Sequence, residues 1–331
     1  MRIGVLAGAG NDWRTALEKV QIAETLGYEL VATGEAWGPS SIPWMTILAT
    51  QTERIQIGTA ILNVFSRTPG AIAQEFAALE QLSNGRMVCG LGSSGERVIE
   101  HFHGITFDKP LRRIREYVDI INLLIKGEKL DYDGEIFKLS RGFQLTYDRP
   151  RDHVPIYIAA ITPKSIRQTG EIADGIYPIH WPKQKFETLR EDLAAGAAIS
   201  GRTGHDITIA PFTDCYVLGE GNDEALWQQA RKALFHYVNR MGDFYWNMLV
   251  DNGYEAEVAA SRAAWKNDRD MAGALEAISE QMVRDIHVIG PIESVAEQLA
   301  ERSSLGADLQ MVQMPAGSPL MQESASKRCL V

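Results

Sequence analysis

The chain has 331 residues, of which 45% are hydrophobic and 23% charged, and its formal net charge is -10. A chain of this length can bury a large core, and it matches the size of an eight-fold α/β barrel with insertions. The acidic balance argues against nucleic acid and anionic membranes as main partners, because both repel a negatively charged surface.

The cysteines and the N-terminus predict a cytoplasmic protein. Cys89, Cys215 and Cys329 lie far apart with no CxxC pair, so we expect neither a disulfide framework nor a structural zinc site. The apolar part of the first ten residues is too short for a signal-peptide core. No apolar run approaches the ~18 residues that span a bilayer.

Apolar runs alternate with segments of helical periodicity along the chain. The predicted order in the first part is strand 2–7, helix 13–26, strand 29–33, helix 42–51, strand 54–62, helix 69–82, strand 86–91 and helix 111–125. The second part continues with strand 154–159, helix 164–173, strand 175–179, helix 183–198, strand 207–218, helix 223–241, helix 292–303 and strand 308–314. Eight strands separated by helices predict a single-domain (β/α)8 TIM barrel over residues 1–331.

Two stretches, about 128–152 and 242–285, depart from the alternation and are predicted to be insertions. The first contains a hairpin pattern over 130–139 that turns at Asp133-Gly134. The second is poorly punctuated and predicted to be helical.

Ligands of a barrel bind at the C-terminal ends of its strands, so the residues after each strand are the candidate site. These segments are rich in glycine, other small residues and tryptophan, and they lack a cluster of carboxylates and histidines. This composition favours a planar organic cofactor and a small-molecule substrate over a metal.

Gly90, Gly92 and Gly95 form a G-x-G-x-x-G pattern after the fourth predicted strand. A dinucleotide fingerprint follows the first strand and has an acidic residue ~20 positions later, which this chain lacks. The small residues, with the hydroxyls of Ser93 and Ser94, still predict a site for a phosphate or carboxylate. The alternative is a turn that only joins the strand to a helix.

Two further patterns leave alternatives open. His101 and His103 form an HxH pair, but a metal site needs at least three ligands, so a hydrogen-bonded pair at the rim is the stronger expectation. Trp37 and Trp44 flank the loop after the second strand. Either indole could cover a cofactor ring or pack the following helix.

Several motifs occur in an order and spacing that are specific together. They are residues 41–46, 52–60, 67–69, 82–86 and 90–95, then 103–111, 115–118, 155–160, 171–175 and 289–291. Over residues 2–314 the chain resembles the luciferase-like flavin and F420-dependent oxidoreductases, and the segments between 103 and 175 resemble the F420-dependent branch. The resemblance implies a bacterial luciferase-like barrel whose mouth binds the ring, commonly paired as a homodimer through outer helices.

The resemblance also assigns cofactor-binding positions. It implies a non-proline cis peptide behind the ring at Ala60-Ile61. The strand-end rule brings the segment that begins at Asn63 to the mouth, and the resemblance does the same for the segment that begins at Glu35. Trp37 belongs to the second of these segments. The cofactor tail is assigned to two further segments, which are Ser93, Ser94 and Gly95 after the fourth strand and Ala160, Ile161 and Thr162 after the fifth.

The sequence departs from the family pattern at two places. Ala36 stands where the sugar-phosphate dehydrogenases of the family have a histidine, which argues against hexose-phosphate chemistry. Ile161 stands where a glycine is common. Glu96, by contrast, matches a glutamate of those enzymes.

The function implied is a coenzyme F420-dependent oxidoreductase that moves a hydride between deazaflavin C5 and a small organic substrate. The alternatives are an FMN-dependent monooxygenase and a catalytically idle flavin-binding protein of the same fold. Three residues are candidates for the accompanying proton transfer. They are Glu96, ranked first by resemblance, which could instead cap a helix; Glu35, which could instead orient Trp37; and His180, whose unperturbed pKa lies near ~6.5.

Overall fold

The computed structural model describes residues 1–313, apart from the side chain of Asp268. The predicted end of the last strand at residue 314 and Cys329 lie outside the described residues. Among residues 1–313, no helix combines the length and the apolar character needed to cross a bilayer.

All eight predicted strands form at least in part, and the structure adds short ones. The strands are β1 (Arg2–Leu6), β2 (Leu30–Thr33), β3 (Gln56–Thr59), β4 (Leu62–Asn63), β5 (Met87–Gly92), β6 (Leu130–Asp133), β7 (Lys138–Phe143), β8 (Ile156–Ile158), β9 (Gly175–Ile176), β10 (Thr208–Ile209), β11 (Phe212–Thr213), β12 (Cys215–Leu218), β13 (Val288–Pro291) and β14 (Leu309–Gln313). Every residue of β2, β5 and β8 is buried, which explains why these strands appear in the sequence as apolar runs.

The predicted helices form, and several of the helices begin at a side chain that accepts a backbone N–H. The helices are α1 (Trp13–Thr25), α2 (Ser41–Gln51), α3 (Pro69–Ser83), α4 (Glu96–His101), α5 (Pro110–Ile125), α6 (Pro163–Ile172), α7 (Phe186–Ala197), α8 (Asp223–Arg240), α9 (Asp243–Asp251), α10 (Glu255–Ala263), α11 (Met271–Glu276), α12 (Glu280–Ile286) and α13 (Ile292–Ser304). In α3, the Thr68 side chain accepts the N–H of Ala71, and Asn84 ends the helix in the left-handed conformation. Helix α4 was not predicted.

The main sheet is parallel and curls on itself. Its order is β10-β9-β8-β5-β3-β2-β1-β14-β11, so its two ends are consecutive segments of one stretch, residues 208–213. The N–H of Ala210 donates to Ile176 O at 2.9 Å, and the N–H of Asp308 donates to Ile209 O at 2.9 Å. The result is a TIM-like α/β architecture in which regular strand pairing is interrupted between β10 and β11.

Two predicted strands are wrong in their extent. The stretch 207–218 is not one strand, because Pro211 has no N–H for the ladder and β12 leaves the main sheet to pair with β13. The stretch 54–62 ends at Thr59 and resumes at Leu62, and between them the Ala60-Ile61 peptide bond is cis, as predicted.

Both predicted insertions lie outside the main sheet. Strands β6 and β7 form an antiparallel hairpin, and the buried Glu116 carboxylate accepts the N–H groups of Glu135, Ile136 and Phe137 in its turn. The second insertion forms the helices α9 to α12.

Candidate active site

A cavity of about 360 Å³ opens at the C-terminal ends of the main-sheet strands. Its lining consists of Leu6, Ala7, Gly8, Ala32, Thr33, Gly34, Ala60, Ile179, His180, Phe212, Asp214, Ala233, Tyr237 and Gln313. The volume falls within the range of small-molecule sites, roughly 300–1,000 Å³. The cavity therefore lies at the strand ends where the sequence predicted the ligand site.

One wall of the cavity consists mainly of small residues at the ends of β1, β2 and β3, namely Ala7, Gly8, Ala32, Thr33, Gly34 and Ala60. A Cβ at Gly34 would lie 2.9 Å from the carbonyl oxygen of Ala60, so only glycine fits there. A Cβ at Gly8 would make an ordinary contact, 3.7 Å from the Thr33 hydroxyl, and a longer side chain would enter the cavity. These small residues leave an apolar space that suits the face of a flat ring.

The loop after β5 lies beside this wall. A Cβ at Gly92 would come within 3.0 Å of the Ile61 side chain, which places the loop next to the cis peptide. Within residues 1–313, the N–H groups of Ser94 and Gly95 donate no hydrogen bond, and a Cβ at Gly95 would meet open space. An accessible pair of unpaired N–H groups suits a phosphate or carboxylate.

The first glycine of the G-x-G-x-x-G pattern serves packing between strands. A Cβ at Gly90 would lie 1.8 Å from the carbonyl oxygen of Thr59, and the Thr59 hydroxyl bonds both the N–H and the C=O of Gly90 at 2.8 Å. This role supports the rejection of the dinucleotide fingerprint.

The segment after β8 lies next to the loop after β5, because a Cβ at Gly92 would lie 3.3 Å from Ala159 Cβ. Ala160 is buried, whereas Ile161 and Thr162 are half-buried. The Thr162 hydroxyl caps α6 by accepting the N–H of Ser165 at 3.3 Å. It is therefore already engaged within the protein.

Asn63 is buried and shapes the loop that follows β4. Its Oδ1 accepts the N–H groups of Phe65 at 3.0 Å and Ser66 at 2.8 Å. Its Nδ2 lies 3.4 Å from His103 Nε2, which ties the HxH pair to the rim. Among the described residues, no three His, Cys, Asp or Glu side chains converge as a metal site.

The Glu35 carboxylate is engaged at the rim by two partners. It forms an ion pair with Arg67 and accepts the N–H and hydroxyl of Ser41 at 2.8 and 3.1 Å. Burial would raise its pKa, but these hydrogen bonds from Arg67 and Ser41 outweigh burial and lower it. Glu35 therefore remains ionised and holds Arg67 in place.

Three other predicted residues do not line the cavity. Glu96 is exposed at the first position of α4, and no hydrogen bond or ion pair holds its side chain within residues 1–313. Trp37 is 58% exposed. Trp44 is buried and donates from Nε1 to Ala7 O at 3.1 Å, so it packs α2 against β1.

His180 is the one proton-transfer candidate that lines the cavity. It is buried with a φ of 52°, and its ring lies edge-on to Tyr237 at 4.3 Å and to His287 at 5.5 Å between centroids. Burial, with a smaller contribution from His236, lowers its pKa to about 3. The imidazole is therefore neutral over the physiological range, in contrast to the sequence-based expectation.

Asp214 also lines the cavity, and the sequence analysis missed it. It follows β11, at the strand end that the predicted strand 207–218 concealed. Its carboxylate lies 3.4 Å from His287 Nδ1, and burial raises its pKa to about 6. An aspartate after an apolar run broken by Pro211 was the signal available in the sequence.

The family model for luciferase-like monooxygenases matches residues 1–309. The 5,10-methylenetetrahydromethanopterin reductase of Archaeoglobus fulgidus is 29% identical over 306 residues, which cover 91% of this chain and 88% of that protein. The F420-dependent glucose-6-phosphate dehydrogenase of Microbacterium testaceum is 34% identical over 201 residues, covering 56% of this chain and 59% of that protein.

A solved structure shares the whole fold. The coenzyme F420-dependent tetrahydromethanopterin reductase from Methanopyrus kandleri superposes with a TM-score of 0.83, at 20% identity, covering 99% of this chain and 97% of that chain. At this identity, the likeness establishes the fold alone.

Proposed function

Because the chain belongs to the luciferase-like monooxygenase family, we propose that it is a coenzyme F420-dependent oxidoreductase acting on a small organic substrate. The observation that carries the proposal is that two features lie side by side at the C-terminal edge of the sheet. A cavity with one wall of small residues lies beside a loop with unpaired N–H groups, and a deazaflavin with an anionic tail needs both features.

Each part of the cofactor then has its own residues. The wall that contains Gly34 and Ala60 takes the ring, with Ile61 behind Ala60 in the chain. Trp37 is exposed three residues after Gly34, and its indole covers the ring. The N–H groups of Ser94 and Gly95 take the phosphate, and residues 160–162 border the tail. The Ser93 hydroxyl donates to Ser94 O at 3.2 Å and joins them only if it turns toward the phosphate. Asn63 holds the loop between them. When bound, reduced F420 supplies a hydride from C5.

The choice of F420 over FMN rests on the relatives and on the segment 103–111, which resembles the F420-dependent branch. Both cofactors carry a phosphate and a tricyclic ring, so the cavity alone admits either. The alternative is an FMN-dependent monooxygenase of the same fold.

Fluorescence-quenching titration of the purified protein distinguishes the two cofactors. We expect F420 to bind with a Kd in the micromolar range or below and FMN to bind at least about tenfold more weakly, a difference of ~1.4 kcal/mol. The deazaflavin riboside, which lacks the phosphate and glutamates, should also bind more weakly than F420. Tighter binding of FMN would contradict the proposal.

A pair of glycine variants locates the ring. Gly8→Leu fills the cavity and should weaken F420 binding at least about tenfold, ~1.4 kcal/mol. Gly70→Leu is the control, because a Cβ at Gly70 in α3 would lie 4.0 Å from its nearest neighbour and outside the cavity lining. Equal binding by both variants would show that the ring lies elsewhere.

A further inference from the structure

We propose that Asp214 exchanges the proton that accompanies hydride transfer, and that the reacting part of the substrate is an uncharged carbonyl or alcohol. The proposal rests on the proposed function, since it assumes that hydride transfer takes place in this cavity. It assigns proton transfer to a residue outside the three candidates that the sequence provided.

The position of Asp214 is the first argument. It contributes the one carboxylate among the fourteen residues that line the cavity, all of which lie within the described chain. Its side chain is 27% exposed, so the carboxylate reaches the cavity although the residue is mostly enclosed. A substrate in the cavity can therefore come within hydrogen-bond distance of it.

The surroundings of Asp214 are the second argument. The titratable groups that interact with it are His287 before β13, Tyr216 on β12 and Tyr237 on α8. His180 after β9 lines the same cavity, and His236 packs edge-on against Tyr237. Burial, the largest effect, lowers the pKa of both His180 and His287, so neither is a cation at neutral pH. Burial likewise raises the pKa of Tyr216 and Tyr237, so both stay neutral.

No permanent cation pairs with the Asp214 carboxylate within residues 1–313. Arg302 on α13 is buried near His287 and donates to Asp285 O at 3.2 Å. The 3.4 Å separation between Asp214 and His287 Nδ1 is longer than an ordinary hydrogen bond. Burial without a partner raises the pKa of Asp214 to about 6, which suits a group that gains and loses a proton near neutral pH.

The other two carboxylates are less suited to this role. Glu35 is held ionised by Arg67 and Ser41, and Glu96 is exposed outside the cavity lining. Their geometry leaves Asp214 as the carboxyl group that a substrate in the cavity meets.

The proton and electron balance of the reduction is as follows. The substrate carbon gains a hydride with its electron pair from the reduced deazaflavin, and the C=O π bond breaks. The O–H bond of the Asp214 carboxyl group breaks as an O–H bond forms on the substrate oxygen. Asp214 then regains a proton from water, and oxidation of an alcohol follows the same steps in reverse.

The charge of the cavity limits the substrate class. Neither lysine nor arginine occurs among the lining residues, whereas Asp214 carries a negative charge above pH 6. An anionic group bound beside it would be repelled without compensation. A neutral ketone, aldehyde or alcohol therefore fits better than a sugar phosphate.

Titration of the carboxyl group in the cofactor-free protein tests the proposal independently of F420 binding. The C=O stretching band of a protonated carboxyl group is followed by difference infrared spectroscopy between pH 4 and 8, a range that brackets about 6. We expect one band to titrate near pH 6 and to disappear in Asp214→Asn but not in Asp131→Asn, an exposed control on β6. Titration of Asp214 near its ordinary pKa would overturn the proposal.

Kinetics of the F420-loaded enzyme with a panel of neutral ketones and aldehydes provide the second measurement. For a compound that is turned over, Asp214→Asn should lower kcat about a hundredfold or more. It should also remove the fall in kcat/KM above pH 6, while F420 binding stays within a few-fold. If Asp214→Asn keeps kcat within a few-fold and retains the pH break, Asp214 is not the proton donor. If F420 does not bind, the proposed function fails, and the infrared titration still decides the state of Asp214.

Discussion

His180 and Asp214 face the same cavity, and burial shifts both pKa values toward the neutral form. The shift follows from position, because each side chain lies after a strand end and is mostly enclosed by its neighbours, His180 edge-on to the Tyr237 ring and Asp214 beside His287. A buried histidine that stays neutral costs stability in acid, because the unfolded chain binds a proton that the folded chain does not.

The acid sensitivity contributed by His180 is measurable. Its folded pKa of about 3 lies below the unfolded value near 6.5, so its contribution to stability is present above pH 6.5 and is lost as the pH falls toward 3. At pH 5 the loss should be about 2 kcal/mol. His180→Asn removes this titration and keeps a residue that tolerates the positive φ.

The measurement is the free energy of unfolding in urea at pH 7.5 and pH 5. The difference between the two pH values should shrink by about 2 kcal/mol in His180→Asn. It should remain as in the wild type in His101→Asn, the matched exposed control. An unchanged difference in His180→Asn would show that His180 is protonated in the folded protein or reaches water.

At the scale of single residues, the sequence predicted positions better than roles. The strand pattern predicted that Ala60, Ile61 and His180 lie at strand ends, and the family resemblance predicted the cis peptide. It could not show that Arg67 and Ser41 engage Glu35, because Arg67 lies 32 residues away in sequence and the contact depends on tertiary structure. The neutral state of His180 likewise depends on burial.

At the scale of elements, the glycines of the pattern Gly90, Gly92 and Gly95 have different roles. Some permit close packing, and others leave space for a ligand. Gly90 permits the close approach of β5 to β3, whereas Gly95 lies where a Cβ meets open space. The sequence pattern treats the three glycines alike, and only the distances between strands distinguish them.

Alanine substitutions test this distinction. Gly90→Ala forces a methyl group against the Thr59 carbonyl and should lower the free energy of unfolding by about 3 kcal/mol or more. Gly95→Ala, with a φ of -90°, should change it by less than about 0.5 kcal/mol. Urea denaturation of the two variants is the measurement. Equal stability of the two proteins would contradict the packing role of Gly90.

The strand that was wrong in extent shows the limit of periodicity. Residues 207–218 form a nearly continuous apolar run, which predicts one buried strand. The run forms three short strands because Pro211 interrupts the ladder. Strand β11 then pairs with β14 in the main sheet, whereas β12 pairs with β13 outside it. The same error concealed Asp214, since a residue inside a strand is not examined as a strand end.

At the scale of the whole molecule, the alternation of strands and helices predicted a TIM-like parallel α/β architecture, but not the interruption of strand pairing between β10 and β11. Each unit buries its strand between the cavity and an outer helix, so hydrophobic period and turn chemistry agree along most of the chain. What the sequence left undetermined is the interior of the mouth, where residues of β1, β2, β11, β14 and α8 meet residues that follow β3 and β9. Those contacts join segments that lie about three hundred residues apart in the sequence, so a local sequence pattern cannot predict them.

The central claim is that the cavity at the strand ends binds the deazaflavin of F420. A crystal structure of the protein with F420 tests it most directly. The account predicts density for the ring in the cavity against Ala60, with Asp214 facing the substrate side and the phosphate at the N–H groups of Ser94 and Gly95. Density for the ring outside this cavity, or a phosphate bound away from Ser94 and Gly95, would contradict it.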